Sequence, residues 1–399
     1  MYENELKRII KSNKSILFIS LAIIAAIFCS YQAINNARTS IFDSKGEERV
    51  ITGAEAIRLD NQRWSALKGD LTEDKIMIVL NKYRDSFSKD NSSDDIINYI
   101  PVVCMFESIS SDKGYKNGNL PDTVAKAFYE NRNKKQYEIL IKNSFNKDEI
   151  DYFDKLESKV KKPFYYSPNA GWANALNNLA MLYSILCVIS LLYAAPSFSN
   201  AYKNGADEVI RTTEFGRKKF AKAKILSTTL FVLTISVIAT VVYLLPVARV
   251  LEIKGLDSSI QFMALNSPTP MTCGEVLNFV VGFGILSVVS STVFTMFVSS
   301  ACKNSISSVS IVFIVLATYV LESFYLKSTV KNAGNNVFKL LMDMTPFAGF
   351  NIYYVFLGYE IHSFAGIVTW TPFIIVAASI ISVVLFYKLA LNIYEKHEC

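Results

Sequence analysis

The sequence predicts an all-α polytopic membrane protein with six transmembrane helices, both termini in the cytoplasm, and a mainly helical extracytoplasmic domain between spans one and two. Two observations predict this fold class. Of the 399 residues, 51% are hydrophobic and only 19% are charged, whereas soluble domains carry about a quarter charged residues. The apolar residues also gather into six runs, each close to the roughly 20 residues that a helix needs to cross a bilayer.

The six predicted spans share an interior without Lys, Arg, Asp or Glu. Their apolar cores are residues 16–34, 179–195, 225–245, 276–298, 305–321 and 368–387. The first span is assigned to 15–34, and we interpret it as uncleaved because it lacks the small-residue pattern of a signal-peptide cleavage site. Spans two to six then occupy residues 172–399.

The orientation follows from where the basic residues lie, because short cytoplasmic loops carry an excess of Lys and Arg. Segments predicted on one side have net charges of +2, +4 and +1: residues 1–14, residues 197–224 and Lys303. Segments predicted on the other side have net charges of 0, −1 and 0: residues 35–170, 246–275 and 322–366. The positive side, with both termini, is therefore predicted to be cytoplasmic.

Residues 35–171 are predicted to form the extracytoplasmic domain. Within it, Thr72 is a candidate N-cap for a helix whose first turn carries acidic residues. Trp172 and Trp370 fall at the outer ends of spans, where aromatic rings anchor at the headgroups. Cys104 and Cys273 both fall outside the membrane, and the sequence leaves open whether they form a disulfide.

The outer segment 336–366 is apolar and aromatic but is interrupted by Pro346, Gly349 and Gly358, with Phe347 beside the proline. Bulky apolar residues are seldom left in water. We favour short helices that enter the bilayer only halfway and are buried by neighbouring spans. The alternative is a loop packed on the 35–171 domain.

Four small hydroxyl side chains recur every fourth residue along the fourth span, and so share one helix face: Ser287, Ser291, Thr295 and Ser299. Small polar residues at this spacing let membrane helices approach closely and form hydrogen bonds. The same face also suits the lining of a translocation route. Helix packing is the favoured interpretation, and the two roles are compatible.

The loop 197–224 carries the most informative pattern in the chain, with seven basic and three acidic residues. Two helices are predicted around a turn near residues 214–216, the first supported by Asp207 and Arg211 at i, i+4. Gly205 and Gly216 disfavour one continuous surface helix, because glycine costs about 1 kcal/mol inside a helix. A shaped turn is therefore expected.

This pattern resembles the loop that follows the second span in permease subunits of type 2 ATP-binding-cassette (ABC-2) exporters. The matching positions are Gly205, Thr212, Thr213, Gly216, Arg217 and Lys224, and Glu208 and Arg211 are assigned to the same ATPase-coupling loop. Arg217 follows Gly205 by twelve residues, and Lys224 follows Arg217 by seven, as in that family. Ala201, Ala206 and Glu214 depart from its acidic, Thr and Pro positions.

The resemblance implies that this loop couples the chain to a separate ABC ATPase subunit, present in two copies, and that a second permease, identical or related, completes the transporter. It also implies that residues 1–14 form an amphipathic connecting helix on the cytoplasmic membrane surface, against lipid. The sequence lacks the phosphate-binding motif G-x-x-x-x-G-K-[ST]. ATP and Mg are therefore expected in the partner. This chain is expected to bind no cofactor, metal or nucleic acid and to carry no catalytic residue.

The expected function is export of an amphipathic substrate, such as a peptide, antibiotic or lipid-like compound, across a bacterial plasma membrane, with antimicrobial-peptide resistance as one task. The charge-free spans speak against a proton-coupled carrier. One alternative is a non-transporting sensor that binds a ligand through residues 35–171. Another is a membrane hydrolase using His362, which we instead interpret as a solvent-exposed polar neighbour of Glu360.

Overall fold

The computed structural model describes residues 2–42, 48–87, 96–110, 120–213, 216–329, 337–358, 360–364 and 366–396. Helices make up most of these residues. In chain order they are α1 (Tyr2–Ile10), α2 (Asn13–Asn35), α3 (Gly53–Arg63), α4 (Glu73–Asp85), α5 (Ile100–Ser110), α6 (Thr123–Lys126), α7 (Phe128–Lys142), α8 (Lys147–Glu157), α9 (Trp172–Ala194), α10 (Pro196–Lys203), α11 (Ala206–Arg211), α12 (Lys218–Leu251), α13 (Cys273–Ala301), α14 (Ser305–Thr329), α15 (Val337–Asp343), α16 (Ile352–Leu357) and α17 (Thr371–Lys396).

The described strands form three two-stranded antiparallel sheets, which the expectation of a purely α-helical fold did not include. They are β1 (Arg38–Phe42) with β2 (Glu48–Thr52), β3 (Gly69–Asp70) with β4 (Tyr165–Tyr166), and β5 (Ile361–Phe364) with β6 (Ile367–Trp370). These pairs were missed because strands of two to five residues are too short to show a period in the sequence.

Five helical stretches among the described residues are long and apolar enough to cross a membrane: α2, the continuous stretch of α9 and α10, α12, α13 and α17. They coincide with five of the six predicted spans. The fifth predicted span falls in α14, whose described apolar part, Ser305–Leu321, is shorter. Large apolar side chains point outward from this bundle on α2 and α17, among them Leu17, Ile24 and Ile381.

The predicted grouping of segments into two ends of the bundle agrees with the contacts. At one end, the basic end, Phe198 of α10 and Phe220 of α12 contact Tyr394 of α17. At the other end, the domain end, residues 35–171 contact the connection between α12 and α13. We call residues 35–171 the large domain.

The large domain has its own apolar core, to which α4 contributes, and the predicted N-cap of this helix is present. Ile76, Val79 and Leu80 are fully buried, and the hydroxyl of Thr72 accepts a hydrogen bond from the Lys75 amide at 3.4 Å. Phe262 and Leu265, from the connection between α12 and α13, pack against this core. The domain and the bundle are therefore joined by a shared apolar contact.

A buried arginine strengthens this junction. Arg132 of α7 is fully buried and donates to the carbonyl oxygens of Leu265 and Ser267, at 2.6 and 2.9 Å. It also forms an ion pair with Glu157 of α8 at 2.5 Å. The Gln136 amide bridges Glu157 and the Asn266 carbonyl, at 3.0 and 3.1 Å. One cation thus ties two domain helices to the α12–α13 connection.

Trp172 begins α9 and Trp370 directly precedes α17, so both lie at ends of predicted spans as expected, but their rings do not face the headgroups. Trp172 and Trp370 are 2% and 4% exposed, so their rings are buried in protein rather than placed at a headgroup belt. The Trp172 indole N–H donates to the Lys254 carbonyl at 2.6 Å. An N–H can be satisfied by a neighbouring chain segment as well as by the membrane interface, and here a loop supplies the acceptor.

Cys104 and Cys273 are both free thiols.

Helices α9 and α13 pack closely against each other at Gly284. A methyl group added at Gly284 of α13 would lie 2.0 Å from Cδ2 of Tyr183. The Tyr183 hydroxyl in turn hydrogen-bonds the Thr240 hydroxyl of α12 at 2.9 Å. Gly284 therefore lets one tyrosine connect three helices. Glycine commonly plays this part where membrane helices touch.

We expect Gly284→Ala to lower the free energy of unfolding by about 1–3 kcal/mol, because the methyl group must displace a packed ring. Gly282→Ala is the matched control. It lies on the same helix with no atom within 4 Å of the added methyl, so the change should be neutral or stabilising by up to about 1 kcal/mol. Thermal unfolding of the detergent-solubilised protein checks this, and equal effects of the two variants would contradict the close approach.

Candidate functional site

The basic loop (residues 197–224) folds as three pieces at the basic end of the bundle. Helix α10 continues the course of α9 past Pro196, α11 follows, and α12 begins at Lys218. Gly205 separates the first two pieces with a φ of +67°. This left-handed conformation is easy for glycine and strained for most other residues. Helices lie on both sides of the predicted turn, with the part before it divided into α10 and α11. Glu214 and Phe215 of that turn lie outside the described part, as do the side chains of the predicted Asp207–Arg211 pair.

The turn that leads into α12 depends on Gly216. Gly216 is buried, and a methyl group there would lie 1.5 Å from the carbonyl oxygen of Ile210. Its amide donates to the Thr213 carbonyl at 3.0 Å, and the Thr213 hydroxyl donates to the Ile210 carbonyl at 2.7 Å. The chain thus folds back tightly on the end of α11 at this glycine.

The outward side of the basic loop is polar with one apolar residue. Glu208, Thr212, Thr213 and Arg217 are exposed, and Val209 is 70% exposed. The Thr212 hydroxyl donates to the Val209 carbonyl at 2.8 Å, so this side chain helps to end α11. A charged surface carrying an exposed apolar side chain is suited to contact another protein.

Lys224, in contrast, faces inward. It is 6% exposed, and its ammonium lies over the rings of Phe198 and Phe220, with the nitrogen 5.2 and 5.1 Å from the ring centroids. Such cation–π contacts contribute about 0.5–2 kcal/mol. Lys224 therefore fixes the start of α12 against α10. The aromatic cluster that holds it, completed by Tyr394, was missed in the sequence because its members lie on three distant helices.

The hydroxyl face of α13 makes contacts within the chain. The Ser299 hydroxyl donates to the Ala195 carbonyl at 2.6 Å and accepts from the backbone amides of Phe198 and Ser199 at 3.0 and 3.2 Å. It thus bonds the backbone at the α9–α10 junction, where the basic loop begins. Ser291 and Thr295 donate to carbonyls of their own helix, at 3.0 and 2.7 Å. All four predicted residues, Ser287 included, are buried, and these contacts are of the packing kind.

The segment 337–364 contains short elements. The Ser287 hydroxyl donates to the Pro346 carbonyl at 3.1 Å, Phe347 is fully buried, and Gly349 packs directly on Ser287. Because Ser287 lies 14 residues into α13, at about 1.5 Å per residue, this contact is far from the helix end. The hairpin of β5 and β6 lies against the large domain instead, where the Trp370 amide donates to the Tyr152 hydroxyl at 3.2 Å.

His362 is not the exposed residue that the sequence suggested. It is 2% exposed, and its Nε2 lies 2.7 Å from a carboxylate oxygen of Asp343. Glu360 pairs with Lys339 instead, at 3.3 Å. The interpretation was wrong because α15 and β5 are in contact in the fold. They are far enough apart in sequence that the pairing of Asp343 with His362 could not be recognised there. A histidine enclosed in this way joins the two elements.

Comparison with known families decides what kind of protein carries this arrangement. A family model described as "ABC-2 family transporter protein" matches residues 78–391. The chain belongs to the ABC-2 transporter family. Comparison with curated proteins gives no match. The matched range covers the basic loop, α13 and the segment with Pro346, and it also takes in much of the large domain.

As an ABC-2 family member, the chain is a multi-pass membrane protein and the permease component of an ABC transporter. Membership implies association with an ABC ATPase partner, and the permease itself is not the catalytic component. The sequence resemblance, drawn from the basic loop together with the predicted spans, is therefore confirmed at the level of the family.

Proposed function

We propose that this ABC-2 permease exports an amphipathic substrate, and that the basic loop receives the motion of two separate ATPase subunits that bind ATP and Mg. The main support for this proposal is the geometry of the basic loop. Its outward side is exposed, while Ser299 and the aromatic pocket around Lys224 bond its inner side to α13, α10 and α12. A push on the exposed side would therefore move the bundle helices rather than a flexible tail.

The proposed topology has six spans, with α14 as the fifth, and places the basic end in the cytoplasm. The net charge of the segments that meet there supports this orientation. Residues 346–357 then lie within the bilayer, where burial against α9 and α13 satisfies the interrupted backbone. The hydroxyl face of α13 is assigned to helix packing. The chain works with a second permease, identical or related, in the plasma membrane of a bacterium.

An amphipathic cargo suits spans without internal charge, since no ionisable residue there would select an ion. Peptides, antibiotics and lipid-like compounds fit this description, and resistance to an antimicrobial peptide is one task that such export performs. A purely sensory role for the large domain has less support, because an ABC-2 permease is expected to work with an ATPase.

We expect Arg217→Glu to weaken association with the ATPase by about tenfold or more, because an exposed cation of the basic loop would become an anion. Lys303→Glu is the matched control, an identical charge reversal at an exposed residue of the same end. Each variant is affinity-purified from its native membrane, and the co-purifying ABC ATPase is quantified by mass spectrometry. Full retention of the ATPase by Arg217→Glu, or equal loss in both variants, would overturn the docking role.

A further inference from the structure

A cavity of about 450 Å³ lies at the basic end, between α1, the α9–α10 stretch and the start of α12. This volume is in the range of small-molecule sites. The cavity lies behind the basic loop rather than on its outward side, since Lys224 and Asn204 line it while Arg217 does not. The cavity is therefore distinct from the exposed side of the loop that we propose contacts an ATPase.

The wall of the cavity is positive. Arg8, Lys14 and Lys224 line it together with one acid, Glu5, so three cations and one anion give a net formal charge of +2. Glu5 is 8% exposed and forms an ion pair with Arg8. Lys224 is held by its two rings at the buried side of the cavity. Arg8 and Lys14 are exposed, whereas Lys224 is buried, and a concave site lined mainly by cations concentrates positive potential.

The cavity also combines polar donors with an apolar floor. Asn200 and Asn204 line it, and Ile9 and Tyr193 form apolar parts of the same wall. On the helices beside it, Ile10, Ile16 and Leu17 are 53%, 56% and 60% exposed. A ligand that carries a phosphate and an apolar chain would match both surfaces at once.

We propose that this cavity binds the phosphate group of an anionic lipid from the inner leaflet. The leaflet assignment rests on the topology of the proposed function, in which α1 lies at the cytoplasmic membrane surface. Basic pockets between membrane helices on this side are suited to lipid headgroups, and lysine binds phosphate as a point charge. The bound headgroup would join α1 to α10 and α12, the helices that position the basic loop.

The test uses the purified permease alone, so that failure of ATPase docking does not affect the result. Native mass spectrometry compares dioleoylphosphatidylglycerol, which is anionic, with dioleoylphosphatidylcholine, which is zwitterionic. We expect the anionic lipid to be retained about tenfold more tightly. Equal retention of the two lipids would overturn the proposal, and competition by soluble glycerol 3-phosphate at equal concentration would overturn the lipid as the source of the phosphate.

Paired variants separate the cavity from general attraction to anionic lipid. Lys14→Gln with Lys224→Gln should weaken retention of phosphatidylglycerol about tenfold. Lys11→Gln with Lys222→Gln removes the same charge from exposed neighbours that do not line the cavity, and should leave retention unchanged. If the variant at buried Lys224 does not fold, Lys14→Gln alone, at an exposed lining residue, keeps the comparison with Lys11→Gln. Equal losses in the lining and control variants would overturn the site.

Discussion

Replacing Arg132 by alanine is expected to lower the free energy of unfolding by about 3–5 kcal/mol, because the change removes a fully buried side chain and leaves the groups that it bonds without their donor. Glu157 would retain Lys162, at 2.7 Å, and the Gln136 amide. The carbonyls of Leu265 and Ser267 would lose the guanidinium that now satisfies them. The damage should therefore reach the α12–α13 connection as well as the large domain.

The matched control is Lys134→Ala, two residues along the same helix. Lys134 pairs with Glu130 at 2.7 Å, but both side chains are about two-thirds exposed, and exposed pairs contribute about 0–1 kcal/mol. Thermal unfolding of the detergent-solubilised protein, followed by tryptophan fluorescence, measures both variants. If Arg132→Ala unfolded at the same temperature as Lys134→Ala and the unaltered protein, the junction would not depend on the ion pair of Arg132 with Glu157.

The same pair predicts an acid dependence. Burial raises the pKa of Glu157, but the hydrogen bond and charge of Arg132, with Lys162 and Gln136, outweigh burial and hold this pKa below its ordinary value of 4.5. A carboxyl whose pKa is lower in the folded state contributes stability above its unfolded pKa and loses it as the pH falls through the folded pKa. Stability should therefore decline below about pH 4.5, and Arg132→Ala should flatten this decline.

Gly216→Ala is expected to abolish most ATP-driven transport. A methyl group 1.5 Å from the Ile210 carbonyl oxygen cannot be accommodated without moving the turn. Overpacking of this kind costs up to about 3 kcal/mol, which shifts the equilibrium between the native and altered loop conformations about a hundredfold. Apparent affinity for the ATPase falls in proportion to the population of the native loop, since only the native loop would bind it.

Gly205→Asn provides the control for the loop. Gly205 also has a positive φ, but nothing lies within 4 Å of an added Cβ, and asparagine tolerates the left-handed conformation. This variant should keep transport close to that of the unaltered protein. Transport by both variants is measured in vesicles that contain the purified complex. Normal transport by Gly216→Ala would show that the turn has no part in coupling.

Much of the helix bundle could be predicted because a bilayer demands one property, a long uncharged apolar run, and composition reports it directly. The basic loop could be predicted because its glycines and cations are close together in sequence. Pairings between distant segments could not. Asp343 and His362 are in contact although they lie 19 positions apart in the chain. Arg132 donates to carbonyls more than 130 positions away. Nothing in the local pattern around either residue specifies its partner.

By itself, the sequence determined the class of the protein, five long apolar helices, the helical character of the large domain and the family through one basic loop. Only the tertiary structure decided which charges are buried and what they bond. The sequence pattern favours an exposed His362 and does not show that Lys224 and Arg132 are buried, yet each of the three is enclosed by elements from elsewhere in the chain. The physical reason is that burial of a polar group is favourable only when the fold supplies its partners, and those partners come together only when the chain folds.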